Sequence, residues 1–247
     1  QRSDVPYGMF LSGGVDSSVI LACMRDLNEK PVEAFTAGFS GTSVNDERAH
    51  AKIVAAAAGA NFNNVEFSES NFWELLPEIA AVMDDPVADY AILPTYKLGK
   101  SCHDAGLKVI LSGEGGDELF AGYGRYRRQL RPWFLGGRNM RSKGIFHGLG
   151  LLRNTGDQWK DRLNEVWDKE SNPQRTKLQV AQAVDCADWL AHDLLIKLDR
   201  CLMAHGVEGR TPFLDPIVAN VAMRLPDSLK VKGRIGKYLL RLWLDQK

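Results

Sequence analysis

The most constraining part of this chain is its beginning. An apolar run from Val5 to Leu11 is followed by Ser12-Gly13-Gly14, and then by apolar residues at helical spacing, Val19, Ile20, Ala22, Cys23 and Leu27. That order predicts strand, tight glycine turn and helix in direct succession. The alternation continues downstream. Val32 to Phe39 reads as a second strand, and Asn45 or Asp46 is placed to cap a helix that runs through the alanines at 55 to 58 and stops at Gly59. Phe62 to Phe67 reads as a third strand, helices are expected over Asn71 to Met83 and Pro94 to Ala105, and an apolar strand follows Gly106 at Lys108 to Leu111. Strands alternating with helices give βαβ units, so the expected fold class is α/β, a Rossmann-like parallel sheet flanked by helices. From about residue 119 helical patterns take over, notably Gln174 to Val184 and Trp189 to Met203. A mainly helical C-terminal region over 126–247 is therefore expected to pack on a core formed by 1–125.

Charge narrows the partners. In 247 residues, 31 basic side chains balance 31 acidic ones, so no global field draws the chain to nucleic acid or acidic membranes. No stretch approaches the roughly 18 apolar residues of a membrane span, and Gln1-Arg2-Ser3-Asp4 does not resemble a signal peptide. Cys23, Cys102, Cys186 and Cys201 are scattered without a Cys-x-x-Cys pair, which points to reduced thiols and a cytoplasmic setting rather than a zinc site or disulfide framework. The chain opens on a strand without an initiator Met, and is read as a piece of a longer polypeptide.

In a parallel α/β sheet, ligands bind beyond the carboxyl ends of the strands, and both glycine clusters follow expected strands. Ser12-Gly13-Gly14-Val15-Asp16-Ser17-Ser18 suits phosphate: glycines admit close approach, serines donate, and a helix N-terminus offers free amides. It is not a Walker A loop, because no Gly-Lys-Ser/Thr follows. A carboxylate at Asp16 beside phosphates makes electrostatic sense if it holds Mg²⁺. The second cluster, Ser112-Gly113-Glu114-Gly115-Gly116-Asp117-Glu118, sets three carboxylates within five residues. Such carboxylates repel unless a metal, a cation or a proton relieves them.

These segments carry a resemblance. Ser12 to Ser17 looks like the pyrophosphate loop of the N-type ATP pyrophosphatases, and Ser112 to Tyr123 resembles the second signature of asparagine synthases. Met203-Ala204-His205-Gly206-Val207-Glu208-Gly209-Arg210-Thr211-Pro212-Phe213-Leu214-Asp215 and Lys237-Tyr238-Leu239-Leu240-Arg241 are similar to two further stretches of that family, in the same order. The resemblance covers nearly the whole chain. It implies an adenine-nucleotide α-hydrolase-like fold and ATP-dependent amidation of a carboxylate, aspartate or a related acid, through an acyl-adenylate with release of AMP and pyrophosphate. It implies ATP on Leu11, Ser12, Ser112 and Gly113, pyrophosphate on Ser12, Gly13, Gly14, Asp16, Ser17 and Ser18, and Mg²⁺ on Asp16 and Asp117. Glu114 would be the acid/base residue and Lys237 the cation that neutralises phosphate charge. Asp89, Glu118, Glu208 and Arg210 are candidates for the substrate side, although Glu208 and Arg210 could equally form a structural ion pair. Ammonia would come from a glutaminase domain or subunit outside this chain, and a homodimer is compatible with the pattern.

The substrate is less defined. Where one aspartate-using branch of the family has Thr-Ile-Arg, this chain reads Ala88-Asp89-Tyr90, so an arginine that could grip a substrate carboxylate is missing. Asp84 to Asp89 looks more like antibiotic- and polysaccharide-associated amidotransferases. Two other readings stand beside the leading one, an intramolecular amide-forming enzyme of the β-lactam-synthetase type and a non-catalytic ATP-binding domain. Nucleic acid is disfavoured as a partner. The basic stretch Arg125, Arg127, Arg128, Arg131, Arg138, Arg141, Lys143 and Arg153, with Trp133 and Phe134, is read first as a solvated loop and second as a face for a partner or an anionic substrate.

Overall fold

A computed structural model describes residues 3–39, 46–138, 140, 149–151, 153 and 158–247. Five short strands form one parallel sheet: β1 (Tyr7–Phe10), β2 (Glu33–Gly38), β3 (Asn61–Glu66), β4 (Val109–Leu111) and β5 (Glu208–Arg210), in the order β3-β2-β1-β4-β5. The first four match the expected strands to within two residues at each end. β5 was read as part of the helical region. Three residues with no apolar alternation, Glu-Gly-Arg, give no strand signal of their own. They join the sheet by pairing with β4, Leu111 opposite Arg210.

The crossovers are α1 (Val15–Leu27), α2 (Arg48–Ala57), then α3 (Glu69–Val82) with α4 (Ile92–Asp104). Asn45 lies outside the described residues. The Asp46 carboxylate accepts from the backbone N–H of Arg48 at 3.0 Å, while Glu47 holds the cap position of α2. α2 and α4 both end as expected, with Gly59 and Gly106 at positive φ turning the chain into the next strand. Pro94 falls at the third position of α4, where no helical N–H bond is lost.

Alternate strand residues enter two cores, as required of a sheet covered on both faces. Met9, Leu11, Ala34, Val109 and Leu111 pack with α1, α2 and the chain's last helix, whereas Phe35 and Ile110 face Leu98 and Cys102 of α4 and Leu198 and Leu202. Ile110 is fully buried, and truncating such a side chain to alanine costs about 2–5 kcal/mol.

Beyond β4 come α5 (Gly116–Leu119), α6 (Gly124–Gln129), α7 (Trp159–Glu170), α8 (Lys177–Asp185), a π-helical segment (Cys186–Leu194) and α9 (Leu195–Met203). After β5 follow α10 (Pro216–Arg224), α11 (Asp227–Lys230), the hairpin β6 (Val231–Lys232) and β7 (Ile235–Gly236), and α12 (Tyr238–Leu244). The region expected as one helix from Trp189 to Met203 is thus divided, π-helical and then α-helical. No helix among the described residues is long and apolar enough to cross a membrane.

Candidate active site

Strand order reverses between β1 and β4, and the turns after these two strands carry the two glycine clusters. The crevice at such a switch point is where a doubly wound sheet binds its ligand. Leu11 is held at the end of β1 by its N–H to Phe35 O at 2.9 Å. Gly13 then takes a φ of +74°, open to glycine at no steric cost, and a Cβ there would press 2.9 Å from the His50 ring. The Ser12 hydroxyl accepts from the Gly14 N–H at 3.1 Å and lies 3.2 Å from the Ser17 hydroxyl. Ser17 and Ser18 donate to Gly14 O at 3.1 and 2.8 Å. Gly14 caps α1 without a side-chain bond, so the amides of the first turn stay available to an anion.

The second turn packs against the first. Ser112 N–H bonds Arg210 O at 2.8 Å, and a Cβ on Gly113 would lie 3.1 Å from Asp16 Cβ. One on Gly116 would overlap the Asp16 carboxylate. Lys237 then closes the group from the far end of the chain. Its ammonium is ion-paired to Asp16 and lies 2.7 Å from Asp117 Oδ1. Its backbone is in the left-handed region, φ +53°, and its N–H bonds Phe120 O at 3.0 Å. That conformation costs a non-glycine residue about 1 kcal/mol or more, and such costs concentrate at functional sites. Burial pushes the Asp16 carboxyl up, to about 6, against the pull of Lys237. Burial also opposes the Lys237 charge, but the two carboxylates outweigh it and raise its pKa.

Two carboxylates and one ammonium leave one negative charge, and Asp16 Oδ1 is buried without a hydrogen-bond partner. A divalent cation fits there. Among the described residues no group of three or more His, Cys, Asp or Glu side chains is arranged for a metal. A pair of carboxylates whose coordination is completed by phosphate oxygens is how Mg²⁺ commonly binds.

The asparagine synthase family model matches residues 1–246. The chain belongs to the asparagine synthase family. It is 32% identical to the Bacillus subtilis (strain 168) protein named asparagine synthetase (glutamine-hydrolyzing) 1, over 97% of this chain and 44% of that protein. It is 33% identical to a putative asparagine synthetase (glutamine-hydrolyzing) of Mycobacterium tuberculosis, over 99% of this chain and 43% of the relative. To asparagine synthetase B (glutamine-hydrolyzing) of Escherichia coli K12 it is 27% identical, over 97% and 38%. The chain spans less than half the length of these relatives.

On the other side of the second turn, this asparagine synthase family member holds a second lysine between two carboxylates. Lys197 Nζ donates to Asp89 at 2.7 Å and to Glu114 at 3.1 Å. Burial disfavours its charge, but attraction to Glu114 and Asp89 raises its pKa overall. Sequence reasoning missed Lys197. The signal was there, because it lies on the buried stripe of α9 with Leu198, Cys201 and Leu202, where a lysine needs partners.

The remaining candidates spread out. Glu118 is buried beneath the turn, accepts from the Tyr123 hydroxyl at 2.8 Å, and is pushed up to about 7 by burial. Glu208 and Arg210 pair with each other at 2.7 Å on β5, at the sheet edge. Of the basic stretch, Arg125 bonds the fully buried Asp185 at 2.9 Å and stacks 3.8 Å over Tyr123, and Arg127 donates to Gly122 O at 3.0 Å. Trp133 and Phe134 are exposed; Arg141 and Lys143 lie outside the described residues. Cys102 and Cys201 are buried free thiols pushed up to about 12 by burial, hence unreactive.

Proposed function

We propose that this chain is the synthetase part of an ATP-dependent amidotransferase, which activates a carboxylic acid as its acyl-adenylate and passes it to ammonia. The observation that carries this reading is the convergence of Asp16, Asp117 and Lys237 at the crevice between β1 and β4, with Glu114 on the same turn as Asp117. The residue set divides the work. The first-turn amides of α1 and the Ser12, Ser17 and Ser18 hydroxyls bind pyrophosphate. Lys237 stabilises the negative charge that grows on it as the α–β phosphoanhydride bond breaks. Asp16 and Asp117 would hold Mg²⁺, which when bound adds charge stabilisation on the leaving pyrophosphate.

An acceptor carboxylate oxygen bonds to the α-phosphorus and pyrophosphate leaves. Ammonia then adds to the acyl carbon, Glu114 takes the proton released from nitrogen, and AMP leaves with the bond electrons. Ammonia is supplied by glutamine hydrolysis in a partner domain or subunit, a reading supported by the names and greater length of the relatives.

The test is a screen of candidate acids, with ATP and ammonium, on the full-length polypeptide. Pyrophosphate and AMP that depend on both acid and ammonium are expected. ADP and phosphate as products would refute the reading. AMP formation indifferent to ammonium would replace it with intramolecular amide formation.

A further inference from the structure

We propose that Lys197 is a positioning residue, which sets the Glu114 carboxylate and the loop at 84–91 in one fixed arrangement on the acceptor side of the site. The proposal rests on the reading of Glu114 as the group that takes the proton from the attacking nitrogen.

Three observations carry it. First, the Lys197 ammonium is buried and bonded to two carboxylates, Asp89 at 2.7 Å and Glu114 at 3.1 Å, residues that come from separate segments of the chain. Without it, two carboxylates would face each other across the same space, and Glu114 would lose its one described ionic partner. Second, the loop is pinned at the adjacent residue: the Asp193 carboxylate accepts the Ala88 N–H at 2.8 Å. Asp193 lies in the π-helical segment, whose wider turn re-aims side chains, and such segments recur at functional sites. Third, α9 packs along α4, with Leu198 and Leu202 in one core with Leu98 and Cys102 and with Cys201 Sγ 3.5 Å from Ile92 O, so Lys197 stands on a helix anchored in the core. The result is a counterpart of the Lys237 group. One lysine joins two carboxylates on the phosphate side of the Gly113 turn, and another joins two on the acceptor side.

A positioning role separates from phosphate binding, because the hydrogen bonds and ion pairs of Lys197 among the described residues go to Asp89 and Glu114 and not to Asp16, Asp117 or the first glycine loop. In the full-length polypeptide, Lys197→Met should lower ammonium-dependent kcat roughly 100-fold while KM for ATP stays within about twofold. Lys197→Arg, which keeps a charge able to bridge the two carboxylates, should recover at least about tenfold of that loss. Asp89→Asn, which preserves size and a partner for Lys197, should fall between them. Independently of activity, amide hydrogen exchange over residues 86–91 should quicken in Lys197→Met, with the amides of β1 and β4 unchanged. Wild-type kcat in Lys197→Met would overturn the proposal. So would a rise in ATP KM that matches the kcat loss, or faster exchange across the sheet as well as the loop. If the wild-type polypeptide releases no pyrophosphate with any acid, the proposed function fails; the exchange measurement still decides whether Lys197 orders the loop.

Discussion

Lys237 is ion-paired to Asp16 across 221 residues of sequence. The pairing brings the last helix of the chain onto the first glycine turn, and α12 packs on α1 along the same line. Under the proposed function, a cation held there by two carboxylates is in place before phosphate arrives, so little reorganisation is needed when charge develops.

Lys237→Met should therefore reduce pyrophosphate release by roughly 10²–10³-fold. Lys237→Arg should recover only part, since a planar fork does not replace a compact ammonium between Asp16 and Asp117. Steady-state kinetics at saturating ATP check both.

Gly116→Ala tests whether the Asp16 carboxylate must stay where it is. Gly116 is the first residue of α5, and a Cβ there would overlap the Asp16 carboxylate, so the buried pair with Lys237 must shift. The variant should lose about 1–3 kcal/mol of stability and at least about tenfold in kcat. Unchanged kcat would mean that Asp16 need not stay where it is.

The two glycine turns and four of the five strands were legible in the sequence, because apolar runs and turn residues are local. Asp16, Glu114, Asp117 and Lys237 were expected at the site from clustered carboxylates and from the family resemblance, and the structure brings Asp16, Asp117 and Lys237 together. Lys197 was not legible as a site residue, because its meaning depends on Asp89 and Glu114, 108 and 83 residues away. Arg125 was misleading for the same reason. Read among neighbouring arginines it suggests first a solvated loop and second a face for a partner, whereas its partner Asp185 lies 60 residues on and is fully buried.

Asp185→Ala should accordingly destabilise the fold. It removes the acceptor of Tyr126 O–H at 2.6 Å and of Arg125 at 2.9 Å, leaving a buried phenol and a partly buried cation unpaired. The cost should be roughly 2–4 kcal/mol, below that of a fully buried pair because the Arg125 side chain is 25% exposed. Urea unfolding measures it.

Lys230 gives a pH dependence of stability. It is fully buried, donates to Gln182 Oε1 at 2.7 Å, and burial lowers its pKa to about 8, with Asp227 and Cys186 pulling the other way. The unfolded chain then binds more protons than the native one between pH 8 and the ordinary lysine value. The contribution of Lys230 to stability is therefore least favourable below pH 8 and improves as pH rises through that window. Relative to Lys230→Met, the wild type should gain roughly 1–3 kcal/mol between pH 7 and pH 10. An identical difference at both pH values would show that Lys230 stays charged at no cost.

By itself the sequence determined that this chain builds a parallel α/β sheet with glycine turns after two of its strands, because strand period, turn chemistry and helix starts are encoded within a few residues. Only the tertiary structure decided that Glu208–Arg210 closes the sheet beside β4, that Lys237 bridges Asp16 and Asp117, and that Lys197 bridges Asp89 and Glu114. A three-residue strand has no pattern to read, and a buried charge declares its role only when the partner that offsets its desolvation comes from a distant part of the chain.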